Sequence, residues 1–222
     1  MYGTSRADIL EIFPQGVELS TQCWAQGWLS LNAMSNMQLS QIGNAAETEK
    51  VMGVLEQTEP RLAIVECPGE FWKSYFRINH YSSNSSREKV KKLRKRMEPY
   101  ADLARKVANF QSDTGHEFLL DCPLVARLRE RPSLFELEKD SKVHVALTDG
   151  CRFNYLSGNK PIKRSIWWLT TSPEICARLS KLCACGITRH AVDHSLPTRD
   201  GILQESDLAA AILSGFTENV SL

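Results

Sequence analysis

The chain has 222 residues, which is long enough for one domain with a full hydrophobic core, whereas two equal domains would each be small. Its 42% hydrophobic residues, 24% charged residues and formal net charge of +1 are ordinary for a globular protein, so overall charge identifies no partner. No stretch approaches the roughly 20 apolar residues that span a bilayer, and the N-terminus lacks the basic-then-apolar pattern of a signal peptide. We therefore expect one intracellular domain over residues 1–222, in the cytoplasm or the nucleus.

The seven cysteines are odd in number and are scattered through apolar segments. A disulfide framework would need paired cysteines in an oxidising compartment. The cysteine pattern therefore favours reduced thiols or metal ligands.

The first part of the chain predicts a strand, a tight turn, a helix and a second strand. Ala7–Phe13 is apolar enough for the first strand, and Pro14–Gly16 supplies the turn. Val17–Trp28 then predicts a helix, which is followed by a short strand at Trp28–Leu31. An apolar stripe of this helix would pack on the sheet, at Leu19, Cys23 and Trp24.

The apolar run Arg61–Val65 predicts a buried strand, because a β-rich run between Pro60 and Pro68 is too short for a helix. In an open α/β sheet, the loop after such a strand is where ligands bind. Glu66–Trp72, which carries an acid, a thiol and two aromatic residues, is therefore the candidate site loop.

Strands and helices continue to alternate along the chain. Further strands are predicted at Glu117–Leu120, Lys142–Leu147 and Ile166–Leu169. Further helices are predicted at Glu47–Thr58, Val125–Arg131, Pro173–Leu182 and Glu205–Leu213, with a turn-rich loop at Tyr75–Ser86. This alternation predicts the α/β class, as a three-layer α/β/α sandwich with a mostly parallel, Rossmann-like sheet.

Arg87–Arg96 holds seven Lys or Arg in ten residues, and apolar residues continue at helical spacing as far as Val107. Pro99 should kink this helix or begin a second one. The basic stretch is either a solvated helix face or a surface that contacts the phosphates of a nucleic acid. Contacts of the second kind would come from Arg87, Lys91, Lys92, Arg94 and Lys95.

Three segments resemble motifs of the DNA (cytosine-5) methyltransferases in their order and context, namely Glu11–Leu19, Pro68–Trp72 and Phe118–Pro123. The chain is most similar to the shortened methyltransferase-like domains of retroelement-type polyproteins in protists, which share the helix ending of Trp24–Trp28. The resemblance covers about Ala7–Gly201 and implies the fold of an S-adenosylmethionine-dependent methyltransferase.

The resemblance implies that S-adenosylmethionine would lie at the turn after the first strand. In the family this turn is rich in glycine, which lets backbone N–H groups approach the cofactor. Here the turn has one glycine, so an ordinary turn that binds nothing is the alternative. The implied cofactor-binding residues are Phe13, Gln15, Gly16, Glu18 and Asn32.

The resemblance also implies that cytosine methylation is lost. Gly69 stands where the family has its nucleophilic cysteine, and the nearest thiol, Cys67, lies on the other side of the proline. Cys67 is therefore either a displaced nucleophile or a buried structural cysteine. The family's Glu-Asn-Pro motif is replaced by Asp121-Cys-Pro. We therefore expect a binding or scaffold module. The alternative is an active methyltransferase in which Glu66, Glu70 and Asp121 position a nucleophilic substrate.

A second group of candidate ligands lies in the Cys/His-rich region 151–200. Cysteine and histidine at these spacings favour a tetrahedral zinc site over Cys185, His190 and His194, completed by Cys151 or Cys183. Buried thiols beside surface histidines are the alternative. A further hypothesis is that the chain is an unrelated α/β protein whose C-terminal segment is stabilised by zinc.

Overall fold

A computed structural model of the protein describes residues 7–14, 17–33, 45–66, 83–123, 129, 131–157, 160–185, 190 and 206–220. These residues fold into an α/β structure around a mixed sheet of six strands. Among the helices of these ranges, none combines the length and the apolar character needed to cross a membrane.

The strands, in chain order, are β1 Ile9–Ile12, β2 Ser30–Ala33, β3 Leu62–Glu66, β4 Glu117–Pro123, β5 His144–Asp149, β6 Leu156–Ser157, β7 Lys160–Pro161 and β8 Ser165–Thr170. The α-helices are α1 Glu18–Ala25, α2 Ala45–Thr58, α3 Asn84–Asp113, α4 Pro132–Glu138, α5 Pro173–Leu179 and α6 Ser206–Val220. A short 3₁₀ helix, Gly150–Phe153, follows β5 directly.

The large sheet has the order β2-β1-β3-β4-β8-β5, and β6 and β7 form a separate hairpin. Strands β1 to β4 are mutually parallel, as predicted for the first four strands of the sequence. Strand β8 runs antiparallel to both β4 and β5, so β5 points in the same direction as the first four strands. The expectation of one mostly parallel sheet is confirmed.

Alternate residues of the central strands enter two separate hydrophobic clusters. The first core contains Val65 and Leu120 together with buried side chains of α2, α3 and α4. The second core contains Ile64 and Leu119 together with buried side chains of α1, α5 and α6. Successive side chains of a strand point to opposite faces, so each core covers one face of the sheet.

Helix α3 carries the basic stretch and is one continuous element. The Ser83 side chain caps its first turn by accepting a hydrogen bond from the backbone N–H of Ser86 at 3.1 Å. Beyond its end, Gly115 has a φ of +72°, a conformation that glycine adopts without steric cost. Pro99 lies inside the helix and does not divide it into two elements. As predicted, the helix buries Tyr100 and Val107.

Two details of the predicted elements are wrong. Trp24 is 65% exposed, whereas Leu19 and Cys23 of the same helix are buried. Leu19 and Cys23 are four residues apart and share a face, but the next position is rotated by about 100°. Helix α4 was not predicted, although Pro132 at its start and the buried pair Leu134 and Leu137 are signals for it.

Some predictions lie outside the described residues or are shifted. Most of the predicted Val125–Arg131 helix and most of the Tyr75–Ser86 loop lie outside them. Strand β2 begins two residues later than predicted, at Ser30. Asp121, which was expected at a strand end, lies inside β4.

Candidate functional site

Three thiols and one imidazole converge at the carboxyl end of β5. The ligand atoms of Cys151, Cys183, Cys185 and His190 all lie within 4.8 Å of one another. Cys151 is in the 3₁₀ helix that follows β5, while Cys183 and Cys185 follow α5. Segments that are far apart in the sequence therefore contribute to one cluster, which we call the Cys3His cluster.

Backbone contacts with β5 hold these segments together. The chain after α5 meets the end of β5 at a parallel bridge between Thr148 and Lys181, and the N–H of Asp149 donates to the carbonyl of Lys181 at 2.9 Å. The N–H of Gly150 donates to the carbonyl of Arg164 at 2.8 Å. The strand end thus positions both Cys151 and the Cys183–Cys185 segment.

Hydrogen bonds inside the cluster converge on the sulfur of Cys183. It lies 3.3 Å from Nε2 of His190, and it accepts from the backbone N–H of Cys185 at 3.2 Å. Desolvation would raise the pKa of Cys183, but hydrogen bonds from the Cys185 backbone and the Cys151 thiol outweigh it and lower that pKa. Desolvation, followed by the hydrogen bond to Cys183, raises the pKa of Cys151. These opposite pKa shifts mean that Cys183 ionises before Cys151.

The Cys3His cluster could hold a metal ion. Thiolate and imidazole are the donors that bind zinc and similar borderline metals, and four protein ligands are typical of a structural site. Ligand atoms placed tetrahedrally about 2.3 Å from an ion lie about 3.8 Å from one another. The ligand atoms of the cluster, which lie within 4.8 Å of one another, would therefore need to move by only about an ångström to surround an ion.

The structure brings together four of the five predicted ligands. Both Cys151 and Cys183 belong to the cluster, where the sequence left a choice between them. His194, the fifth, lies outside the described residues. The six described cysteines are free thiols.

A second group of polar side chains lies at the carboxyl end of the parallel strands. Glu66 of β3 and Asp121 of β4 are register partners, and both are buried. The buried carboxylate of Glu11 on β1 accepts hydrogen bonds from Ser20 at 2.8 Å and Ser30 at 3.0 Å. Burial raises the pKa of Glu11, whereas these hydrogen bonds lower it by a smaller amount.

Alternation along the strands places these three acids on one face. Ile9, Ile64 and Leu119 belong to the second core, and each lies two residues before an acid of the group. Side chains two residues apart in a strand point to the same side. The three acids therefore continue the face of the second core to the carboxyl edge of the sheet.

The predicted cofactor-binding residues are only partly described. The side chain of Phe13 is buried in the first core, where its ring lies 5.6 Å from that of Tyr100. Glu18 accepts a hydrogen bond from Gln22 at 2.9 Å, and the exposed Asn32 donates to Ser20 at 3.5 Å. The turn residues Gln15 and Gly16 lie outside the described residues.

The residues predicted as candidates for catalysis are also only partly described. Glu66 and Asp121 lie side by side on adjacent strands, but Cys67 and Glu70 lie outside the described residues. Cys122, the neighbour of Asp121, belongs to the first core and lies on the opposite face of the sheet.

The basic stretch of α3 presents exposed cations. The side chains of Arg87, Lys92 and Lys95 are exposed, and so is that of Lys91, which forms an ion pair with Glu88 at 2.9 Å. For Arg94, the structure describes the helical backbone position and not the side chain.

Sequence reasoning missed one residue beside the Cys3His cluster. Asp149 is 4% exposed, and its carboxylate accepts a hydrogen bond from the backbone of Cys183 at 2.8 Å. An acid that ends a strand two residues before a candidate ligand is the signal that could have drawn attention to it.

Comparison with models of protein families and with curated proteins gives no match to this chain.

Proposed function

We propose that this chain is a zinc-stabilised α/β binding domain of methyltransferase-like fold that does not methylate cytosine. The observation that carries the zinc assignment is the convergence of four ligand atoms within 4.8 Å at the end of β5. Three thiolates and one histidine suit zinc better than magnesium or calcium, which prefer oxygen donors. A complete set of four protein donors supports a structural role, since catalytic zinc sites keep one position open.

The ligand set is tested by a matched pair of cysteine variants. Cys185→Ser removes a donor of the cluster, so zinc retained after dialysis should fall to a small fraction of the wild-type amount. Cys176→Ser changes a thiol of α5 outside the cluster and should retain zinc like the wild type. Equal retention by the two variants would contradict the assigned ligands.

We infer a three-layer α/β/α, Rossmann-like arrangement from the two cores on opposite faces of the sheet. In the order β2-β1-β3-β4, β2 is added on one side of β1, and β3 and β4 are added on the other side. Ligands of open α/β sheets bind beyond the carboxyl ends of the strands at such a switch point. These features support the Rossmann-like arrangement, whereas the methyltransferase-like assignment depends on the order of the motif residues in the sequence.

The proposed loss of cytosine methylation depends on the replaced motif residues, of which the structure describes Asp121 and Cys122. With labelled S-adenosylmethionine and DNA, we expect no methyl transfer to cytosine, because loss of the nucleophile alone removes most of the rate. Transfer that is abolished by Cys67→Ser would contradict this proposal and favour the active enzyme. Calorimetry with the cofactor shows separately whether binding persists.

A nucleic acid is the partner that we propose for the basic stretch of α3. Exposed cations on consecutive helical turns match the regular charge of a phosphate backbone. The Lys91–Glu88 ion pair is solvent-exposed and therefore weak, so it leaves Lys91 able to contact a phosphate.

A further inference from the structure

We propose that Asp149 is a positioning residue that holds Cys183 in place for metal binding. This inference rests on the proposed zinc site. It adds a residue that does not itself bind the ion but orients one of its ligands.

The carboxylate of Asp149 has contacts on both oxygens. Oδ2 accepts from the backbone N–H of Cys183 at 2.8 Å, and Oδ1 accepts from the hydroxyl of Ser165. The ammonium group of Lys163 lies 3.8 Å from Oδ2. With 4% of its surface exposed, Asp149 is a buried acid whose oxygens are used by neighbouring groups.

The position of Asp149 in the chain lets it connect both ligand-bearing segments. It precedes Cys151 by two residues and ends β5, while its own N–H donates to the carbonyl of Lys181 at 2.9 Å. Its side chain then bonds to the backbone of Cys183, two residues further along the same segment. Backbone and side chain of one residue therefore fix the distance between the two segments.

This contact should strengthen metal binding through preorganisation. Because the hydrogen bond already restrains the Cys183 backbone, less conformational entropy is lost when the Cys183 sulfur binds a metal ion. Outer-sphere partners of this kind typically contribute about 10–100-fold in metal affinity. Lys163 balances the carboxylate charge, which would otherwise lie close to three thiolates.

The test is a zinc competition titration with a chromophoric chelator on the full chain. Asp149→Ala removes both acceptors and should weaken zinc binding by about 10–100-fold. Asp149→Asn retains a carbonyl oxygen that accepts from the Cys183 N–H, and the Ser165 hydroxyl can accept a hydrogen bond from the new amide NH₂ group. The zinc affinity of this variant should therefore be near the wild-type value. Ser165→Ala leaves the Cys183 contact intact and should cost less than Asp149→Ala. The visible spectrum of the cobalt(II)-loaded Asp149→Ala protein should show a distorted tetrahedral site.

Hydrogen exchange of the wild-type protein provides a measurement that needs no variant. In metal-free protein the Cys183 amide should exchange slowly, because it donates to a buried acceptor. Fast exchange, or equal zinc affinity in Asp149→Ala and wild type, would overturn the role of Asp149. A wild-type protein that binds no zinc would instead overturn the proposed function.

Discussion

Glu117, the first residue of β4, is a carboxyl group held in an unusual environment. Burial raises its pKa to about 7, against a smaller lowering by hydrogen bonds with Asn219 and Ser172. Asn219 of α6 donates to Glu117 and also to the hydroxyl of Ser172 at 2.7 Å. This small network attaches the C-terminal helix to the start of a central strand.

The titration of Glu117 should make stability depend on pH. The folded state holds its proton up to about pH 7, whereas an unfolded glutamate loses it near its ordinary pKa of 4.5. The folded state therefore binds more protons between these values, and its stability should fall as pH rises through this window. At roughly 1.4 kcal/mol for each pKa unit, the rise from 4.5 to about 7 would correspond to about 3.4 kcal/mol in a fully buried site. Because Glu117 is partly exposed, we expect a smaller loss of stability, on the order of 1 kcal/mol.

Urea unfolding of Glu117→Gln at pH 5 and pH 8 measures this effect. The variant should lose less stability between the two pH values than the wild type does. Glu56→Gln, on the exposed face of α2, should behave like the wild type and serves as the control. If Glu117→Gln and wild type show the same pH dependence, the proton on Glu117 does not contribute to stability.

At the scale of single elements, α5 and α6 pack closely enough to exclude a methyl group at Gly215. A Cβ added there would lie 2.8 Å from the backbone of Ile175, which cannot move without shifting α5. Gly53 in α2 has open space around the same position. The two glycines are thus helical residues with opposite surroundings.

Substitution of these glycines by alanine should have opposite effects on stability. Gly53→Ala should stabilise the protein by roughly 0.5–1 kcal/mol, because alanine loses less conformational freedom in a helix. Gly215→Ala should destabilise it by about 1–3 kcal/mol, since overpacking forces backbone shifts that exceed this gain. Thermal melting of the two variants tests the difference, and a stabilised Gly215→Ala would show that the helices are less closely packed.

Helix α3 allows a test of the proposed nucleic-acid surface. Each phosphate contact releases counterions, so affinity should fall steeply with salt. Replacing Lys91, Lys92, Arg94 and Lys95 by alanine should weaken binding and flatten that dependence, by about one unit of slope for each phosphate interaction that is removed. If the wild type binds no nucleic acid at low salt, the stretch is a solvated helix face.

The parts of the fold that could be predicted from the sequence are those with local signals. The apolar run before Pro68 and the turn at Gly115 locate β3 and β4, because strand length and turn chemistry are local properties. The insertion of β8 between β4 and β5 depends on contacts between distant segments, so no local pattern specifies it. Helix α4 is short and gives a correspondingly weak periodic signal.

The same distinction applies to the Cys3His cluster. The spacing of Cys185 and His190 is visible in the sequence, but the choice between Cys151 and Cys183 was not. Both join the cluster because the end of β5 pairs with the segment after α5. Asp149 was missed for the same reason, since its contact with Cys183 joins residues 34 positions apart.

At the scale of the whole molecule, the Cys3His cluster links the edge strand β5 to the segment that follows α5. A metal held there would bind the folded state more tightly than the unfolded chain, so it would stabilise the protein. The C-terminal helix α6 belongs to the second core together with α5, so this stabilisation should extend to the packing of that face.

Native mass spectrometry of the purified full chain, with metal analysis of the same sample, tests the proposed zinc centre most directly. We predict one zinc ion per chain, its removal by a strong chelator, and a lower melting temperature of the metal-free protein that zinc restores. Well under one zinc per chain after growth and purification with zinc present, together with a melting temperature unchanged by the chelator, would contradict a zinc centre at Cys151, Cys183, Cys185 and His190.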